Sequence, residues 1–200
     1  MLINTGDGYQ GYIALADTVR EGSAEAVAGL QELGIEPLVM LTGDNQATAQ
    51  KIASEVGITD IRANCLPADK VAAVESLEAE YGQVAMVGDG INDTPAFAVS
   101  SVGIAMGRTA QALETADVVL LGDDLQQVPF AVRLTRQAMN TVRANVVLSI
   151  GIKLIVFILV LIGTGSMWMA VLADVGTSVL VSLNGMRLLQ SPRLKSTSLA

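Results

Sequence analysis

Val84-Ala85-Met86-Val87-Gly88-Asp89-Gly90-Ile91-Asn92-Asp93-Thr94-Pro95 joins an apolar run to a glycine-flanked acidic turn. The run reads as a buried strand. Glycines on both sides of Asp89 allow a sharp turn and a close approach of backbone to ligand. Asp93 follows four positions after Asp89, with Asn92 beside it. Two carboxylates and an amide at a strand's C-terminal end make a hard, oxygen-rich site, the kind Mg²⁺ takes when the substrate is a phosphate. The plainer alternative is an acidic turn with no ligand.

Outward from this stretch, residues 11–127 alternate short apolar runs with amphipathic ones. Strands are expected at Tyr12–Ala16, Pro37–Leu41, Ile61–Ala63, Val84–Val87, Val102–Met106 and Val118–Leu121. Helices are expected at Ser23–Leu33, Asn45–Val56 and Pro67–Tyr81, the last opened by a proline that suits a first turn. This alternation implies an α/β domain with a parallel sheet covered on both faces. Ligands in such sheets bind beyond the strands' carboxyl ends. The loops after Leu41 and Val87 both lie there.

Leu41-Thr42-Gly43-Asp44-Asn45 is the second candidate loop. The Thr42 hydroxyl and the backbone amides after it suit a phosphoryl oxygen at a helix start. Asp44 or Asn45 is equally read as an ordinary helix cap. Lys70, near the start of its helix, can neutralise phosphate charge or simply be a solvated surface lysine.

Composition sets limits. The 200 residues are 51% hydrophobic, with mean hydropathy +0.49. Residues 1–143 hold 8 Lys/Arg and 19 Asp/Glu, whereas residues 144–200 hold 4 Lys/Arg and one Asp. The acidic front part argues against nucleic acid as a partner. The chain has no histidine, which removes His-based acid–base chemistry and His-containing metal sites. A single Cys65 fits a reducing compartment and reads as a packed side chain. Met1–Gln10 is polar and does not read as a signal peptide.

Val146–Ile162 and Met167–Leu183 are two mostly apolar runs around the turn Gly163-Thr164-Gly165-Ser166. With their flanks, each is long enough to cross a bilayer as a helix. Arg133, Arg136 and Arg143 precede the pair, and Arg187, Arg193 and Lys195 follow it. By the positive-inside rule both ends are cytoplasmic and the turn faces out. A buried hairpin of a soluble protein is the alternative. Lys153 and Asp174 are the only charges between Ala144 and Met186. An ionisable group in a bilayer is costly and points to an ion path, or here to a structural ion pair closing the hairpin.

These motifs together resemble the haloacid-dehalogenase-like phosphoryl-transfer domain, and more closely the C-terminal part of a P-type ATPase. The matching elements, in order, are Asp17 and Arg20, Thr42-Gly43-Asp44, Pro67 with Lys70, and Gly88-Asp89-Gly90-Ile91-Asn92-Asp93 with Pro95. Val102–Gly107, Glu114 and Ala116-Asp117-Val118 follow. Thr94 and Phe97 stand where the family has Ala and Leu, which reads as tolerated repacking. Asn145 with Lys153, and Asp174-Val175-Gly176, resemble the last two helices of the zinc/cadmium/lead-exporting branch of heavy-metal P-type ATPases. The Met-x-x-Ser-Ser pattern of copper pumps and the His-Glu-Gly element of cobalt-type pumps are absent.

The resemblance implies a partial phosphorylation domain over 1–140, two transmembrane helices over 141–190 and a frayed tail over 191–200. It implies an ATP-driven exporter of Zn²⁺, Cd²⁺ or Pb²⁺ in the cell membrane, with Mg²⁺ held by Asp89 and Asp93. Thr42, Gly43, Asp44, Lys70 and Asn92 would serve phosphoryl transfer. Asp174 would be a metal ligand, Lys153 its countercharge, and Asn145 and Gly176 further members of the metal site. The family's Asp-Lys-Thr-Gly-Thr, Thr-Gly-Glu and Cys-Pro-Cys elements do not occur in this sequence. The strand bearing the phosphorylated aspartate, the nucleotide-binding part that holds ATP and the earlier helices would therefore come from an N-terminal part of the pump, without which the chain should not hydrolyse ATP. Rival readings are a stand-alone membrane module that binds metal or regulates a pump without turnover, and a membrane-anchored phosphatase.

Overall fold

The computed structural model describes residues 2–5, 8–12, 18–89, 92–107 and 110–190. The expected strand at 12–16, Asp17 of the upstream element, Gly90 and Ile91 of the acidic turn, and the tail 191–200 lie wholly or mostly outside these residues.

Two units divide the chain, Met1–Phe130 and Ala131–Ala200. In the first, β1 (Leu2–Thr5) and β2 (Gly8–Tyr12) pair antiparallel. This hairpin was not expected from the polar N-terminus, although Gly6-Asp7 between two short runs is hairpin chemistry. Then follow α1 (Ser23–Glu32), β3 (Val39–Leu41), α2 (Gln46–Val56), β4 (Asp60–Arg62), α3 (Pro67–Tyr81) and β5 (Ala85–Gly88). After these come α4 (Thr94–Val99), β6 (Val102–Met106), α5 (Ala110–Thr115) and β7 (Val118–Leu120). Alternation of strand and helix is therefore as the periodicity predicts. α2 stops where Gly57 takes φ 84°, a left-handed conformation that a Cβ would strain.

Strand pairing is parallel but falls into two ladders, β3–β4 and β5–β6–β7. β3 and β5 share the wall of an apolar cavity of about 320 Å³ without hydrogen-bonding to one another. Val39 and Leu41 line one side, Met86 and Val87 the other, and Val74 and Leu77 of α3 contribute to the same wall.

The core lies against β6, the middle strand of its ladder, whose last four residues are buried. Val74, Met86, Ala96, Phe97 and Ala105 form one cluster, with Leu41 packed against it. Ile104, Met106 and Val128 form a second. Gly103 brings β6 close to α4: a Cβ there would lie 2.9 Å from the Phe97 Cβ. The Gly103 amide donates to Asp117 Oδ2 at 2.8 Å, tying β6 to the segment that enters β7.

The second unit is helical. α6 runs from Gln127 to Leu161 as one 35-residue helix, and α7 spans Met167–Met186, followed by a 3-10 turn over Arg187–Gln190. α6 starts well before the apolar run at Val146 and passes unbroken through residue 140. At 1.5 Å per residue it is ~50 Å long, more than a bilayer core requires. Its most apolar 18-residue window has mean hydropathy 2.6, and that of α7 has 1.4. Both helices are long and apolar enough to cross a membrane. Their apolar windows are 0% and 6% buried within the chain.

Candidate functional site

Three polar clusters hold the residues singled out in the sequence. The first is the turn after β3. Thr42 Oγ1 donates to Asp44 Oδ2 at 3.0 Å and accepts from the Asp44 amide at 3.1 Å. Backbone bonds brace the turn against the β4–α3 segment: Cys65 N–H donates to Thr42 O at 2.9 Å and Asn64 N–H to Asp44 O at 2.8 Å. Asn45, rather than Asp44, caps α2, its Oδ1 accepting from the Thr48 amide at 3.0 Å. Asp44 therefore remains with Thr42. Gly43 is exposed at the tip.

The second cluster follows β5. Lys70 Nζ donates to Asp93 Oδ1 at 2.7 Å, with side-chain exposures of only 16% and 10%. Lys70 is thus not a solvated surface lysine. Its position follows from the start of α3, where Asp69 Oδ2 accepts from the Leu66 amide at 2.9 Å and anchors the first turn. Asp93 sits at the start of α4, and its carbonyl accepts from Phe97 N–H at 2.9 Å. Its other carboxylate oxygen, Oδ2, packs on Gly88: a Cβ there would lie 2.2 Å away. Asp89 and Asn92 are exposed beside it. Among the described residues, the Thr42–Asp44 turn and the Lys70–Asp93 pair make no hydrogen bond to one another.

The third cluster belongs to the helical unit. Lys153 Nζ lies 2.9 Å from Asp174 Oδ1, with side chains 59% and 62% exposed. Gly176 has no atom within 4 Å of where a Cβ would stand, so it makes no close helix contact in this chain. Asn145 is not with this pair. Its Oδ1 accepts from Asn184 Nδ2 at 2.7 Å, and its Nδ2 donates to Val181 O at 3.4 Å.

As a donor set, Asp89 and Asp93 fit Mg²⁺. They offer carboxylate oxygens only, and Mg²⁺ binds through one or two carboxylates plus substrate phosphate rather than a full protein cage. The charge of Lys70 next to Asp93 suits a site that also receives phosphate.

A family profile of haloacid dehalogenase-like hydrolases matches residues 4–100. The cadmium-transporting ATPase of Staphylococcus aureus is 48% identical over 192 residues, 95% of this chain and 26% of its own length. Close homologues of this chain are therefore cadmium- and zinc-transporting P-type ATPases of the heavy-metal type. The zinc-transporting ATPase of a Synechocystis species is 42% identical over 184 residues, 90% of this chain and 26% of its own length. A crystal structure of a zinc-transporting PIB-type ATPase in an E2.Pi state is similar with a TM-score of 0.83 at 43% identity. That match covers 94% of this chain and 31% of the other. The chain thus spans about a quarter of the curated relatives it matches, and the parallel-sheet domain is of haloacid-dehalogenase type.

Sequence reading missed three contributors to these clusters. Gly88 was read as a turn residue, whereas it also makes the bed for the Asp93 carboxylate. Asp117 was matched as a motif residue with no role, and it ties β6 to the entry of β7. Asn184 gave no motif signal at all. Its only clue was an amide in an apolar run.

Proposed function

We propose that this chain is part of an ATP-driven exporter of soft divalent cations, Zn²⁺, Cd²⁺ or Pb²⁺, in which phosphoryl transfer in the first unit is coupled to metal passage along the helical hairpin. One observation carries the reading: the chain that holds the Lys70–Asp93 pair after β5 also holds Lys153 and Asp174 within an apolar hairpin.

In this reading an aspartate from the rest of the pump accepts the γ-phosphoryl group of ATP, and ADP leaves. Phosphoryl transfer asks the protein mostly for position and charge. Lys70, fixed by Asp93, donates to an equatorial phosphoryl oxygen. The Thr42 hydroxyl and the amides of its turn supply further donors, while Asp44 orients that hydroxyl. Asp89 and Asp93 Oδ2 would hold Mg²⁺, which when bound offsets negative charge on the phosphate, and Asn92 would support the loop. The aspartate-bearing strand would enter between β3 and β5, whose shared apolar cavity suits an inserted strand. Asp174 would ligate the transported ion, and Lys153 would take its place as counterion on release. The apolar helices and their flanking arginines support a span through a cell membrane with both ends cytoplasmic.

A chimera tests this. The chain replaces the corresponding part of the staphylococcal cadmium-transporting ATPase, and cadmium-stimulated ATP hydrolysis is measured in membranes. Stimulation that vanishes in Asp93→Ala and Asp174→Asn supports the reading. A chimera that inserts at normal level but hydrolyses no ATP in response to Cd²⁺ or Zn²⁺ rejects it.

A further inference from the structure

Asn145 and Asn184 meet across the hairpin at the end remote from its turn. Only the NH₂ of an amide can donate to the Val181 carbonyl, so the Asn145 oxygen faces Asn184. Both ends of the Asn145 amide are then engaged by α7. The Lys153–Asp174 contact lies on the same pair of helices, eight residues along α6 and ten along α7. These offsets are ~12 Å and ~15 Å of helix rise, too far for Asn145 to share a ligand with Asp174. Between the two contacts Thr177 is 3% exposed, which marks it as part of the seam.

We propose that Asn145 and Asn184 form an amide clamp that sets the register of α6 against α7, so that Lys153 reaches Asp174. Asn184 is a positioning residue for the metal site, and Asn145 acts with it rather than as a metal ligand. The metal site itself rests on the function proposed above, but the clamp does not.

The physics favours a clamp. Apolar helices in lipid gain no hydrophobic drive from touching each other, so packing and interhelical polar contacts decide how they meet. Leu- and Val-rich surfaces fit one another in several registers, and a single buried Asn is known to select one. A slide of α7 by one residue moves Asp174 by ~1.5 Å along the axis and turns it by ~100°. A 2.9 Å ion pair does not survive that turn without rebuilding. A shifted register also breaks the Asn145–Asn184 bond at the half-buried end of the seam.

The test uses the full chain in lipid nanodiscs and reads how fast Lys153 is acetylated by a membrane-permeant reagent, resolved by peptide mass spectrometry. Asp174→Asn gives the rate of an unpaired Lys153. Asn184→Leu and Asn145→Leu should each speed acetylation by about threefold or more, the effect of losing an average interhelical hydrogen bond. Val181→Ala removes side-chain packing on the seam but leaves the backbone acceptor, and should stay within about twofold of the native chain. If Asn184→Leu does not accumulate, Asn145→Leu/Asn184→Leu, which buries no lone amide, reads the same rate. Native rates in the Asn184 or Asn145 variants, or an equal rise in Val181→Ala, overturn the clamp. In the chimera, Asn184→Leu should raise the Cd²⁺ concentration for half-stimulation while leaving the maximal rate near native. A chimera with no stimulated turnover rejects the proposed transport function and leaves the acetylation result standing.

Discussion

Lys70, near the start of α3, reaches across 23 residues of sequence to place its ammonium 2.7 Å from the Asp93 carboxylate, with both side chains more than four-fifths buried. Removing one partner of such a pair strands the other charge, at a cost of about 3 kcal/mol. Lys70→Met should therefore lower stability by about that amount in urea unfolding, and Lys70→Met/Asp93→Leu should recover much of it. Equal stability of the two variants would remove the pair's structural role.

Gly88 gives the Asp93 carboxylate its room. A methyl group there meets Oδ2 at 2.2 Å and Cγ at 2.9 Å. Gly88→Ala must push Asp93 away from Lys70. In the chimera it should cut phosphoenzyme formation by roughly tenfold or more, the scale of a misplaced reacting group. Near-native phosphorylation would show that Asp93 tolerates displacement.

Gly103 is constrained for a structural reason. Its missing Cβ is what lets α4 lie on β6, with Phe97 Cβ at 2.9 Å from that position. Gly103→Ala should destabilise the first unit by about 1–3 kcal/mol through overpacking. Thermal unfolding of the full chain in detergent checks it, and an unchanged midpoint would mean α4 shifts freely.

The apolar cavity between β3 and β5 makes a prediction about assembly. If a strand of the longer pump enters there, the amides of residues 39–41 and 85–88 that face the cavity rather than β4 or β6 become hydrogen-bonded. Their hydrogen exchange should slow by roughly tenfold or more in the chimera relative to this chain alone, as expected when an open edge joins a cooperative unit. Equal exchange in both settings would place the strand elsewhere.

Lys153 and Asp174 offset each other's charge in the hairpin. Asp174→Asn leaves a lone ammonium among apolar side chains, a cost of about 3 kcal/mol on insertion scales. Its membrane level should drop, and Lys153→Met/Asp174→Asn should restore the level without restoring metal-stimulated turnover. Immunoblots of membranes beside ATPase assays separate the two effects, and restored turnover would exclude Asp174 as a ligand.

The sequence by itself determined what depends on local chemistry. Alternating apolar runs and caps located β3, α2, α3, β5 and β6, because periodicity and capping act over a few residues. The motifs around Thr42, Lys70, Asp89 and Asp93, and the charges of the hairpin, pointed to the pumps that its close homologues prove to be. Only the tertiary structure decided pairings between distant residues. It split the parallel strands into two ladders, since which edges meet is a long-range matter that strand composition does not encode. It gave Asn45 the cap and left Asp44 to Thr42, a choice that Gly-Asp-Asn permits either way. It made Lys70 a buried partner of Asp93, where spacing alone suggested a solvated side chain. Asn145 moved from the metal site to Asn184 for the same reason: its spacing to Lys153 is a fact of one helix, whereas its bonds are made to the other.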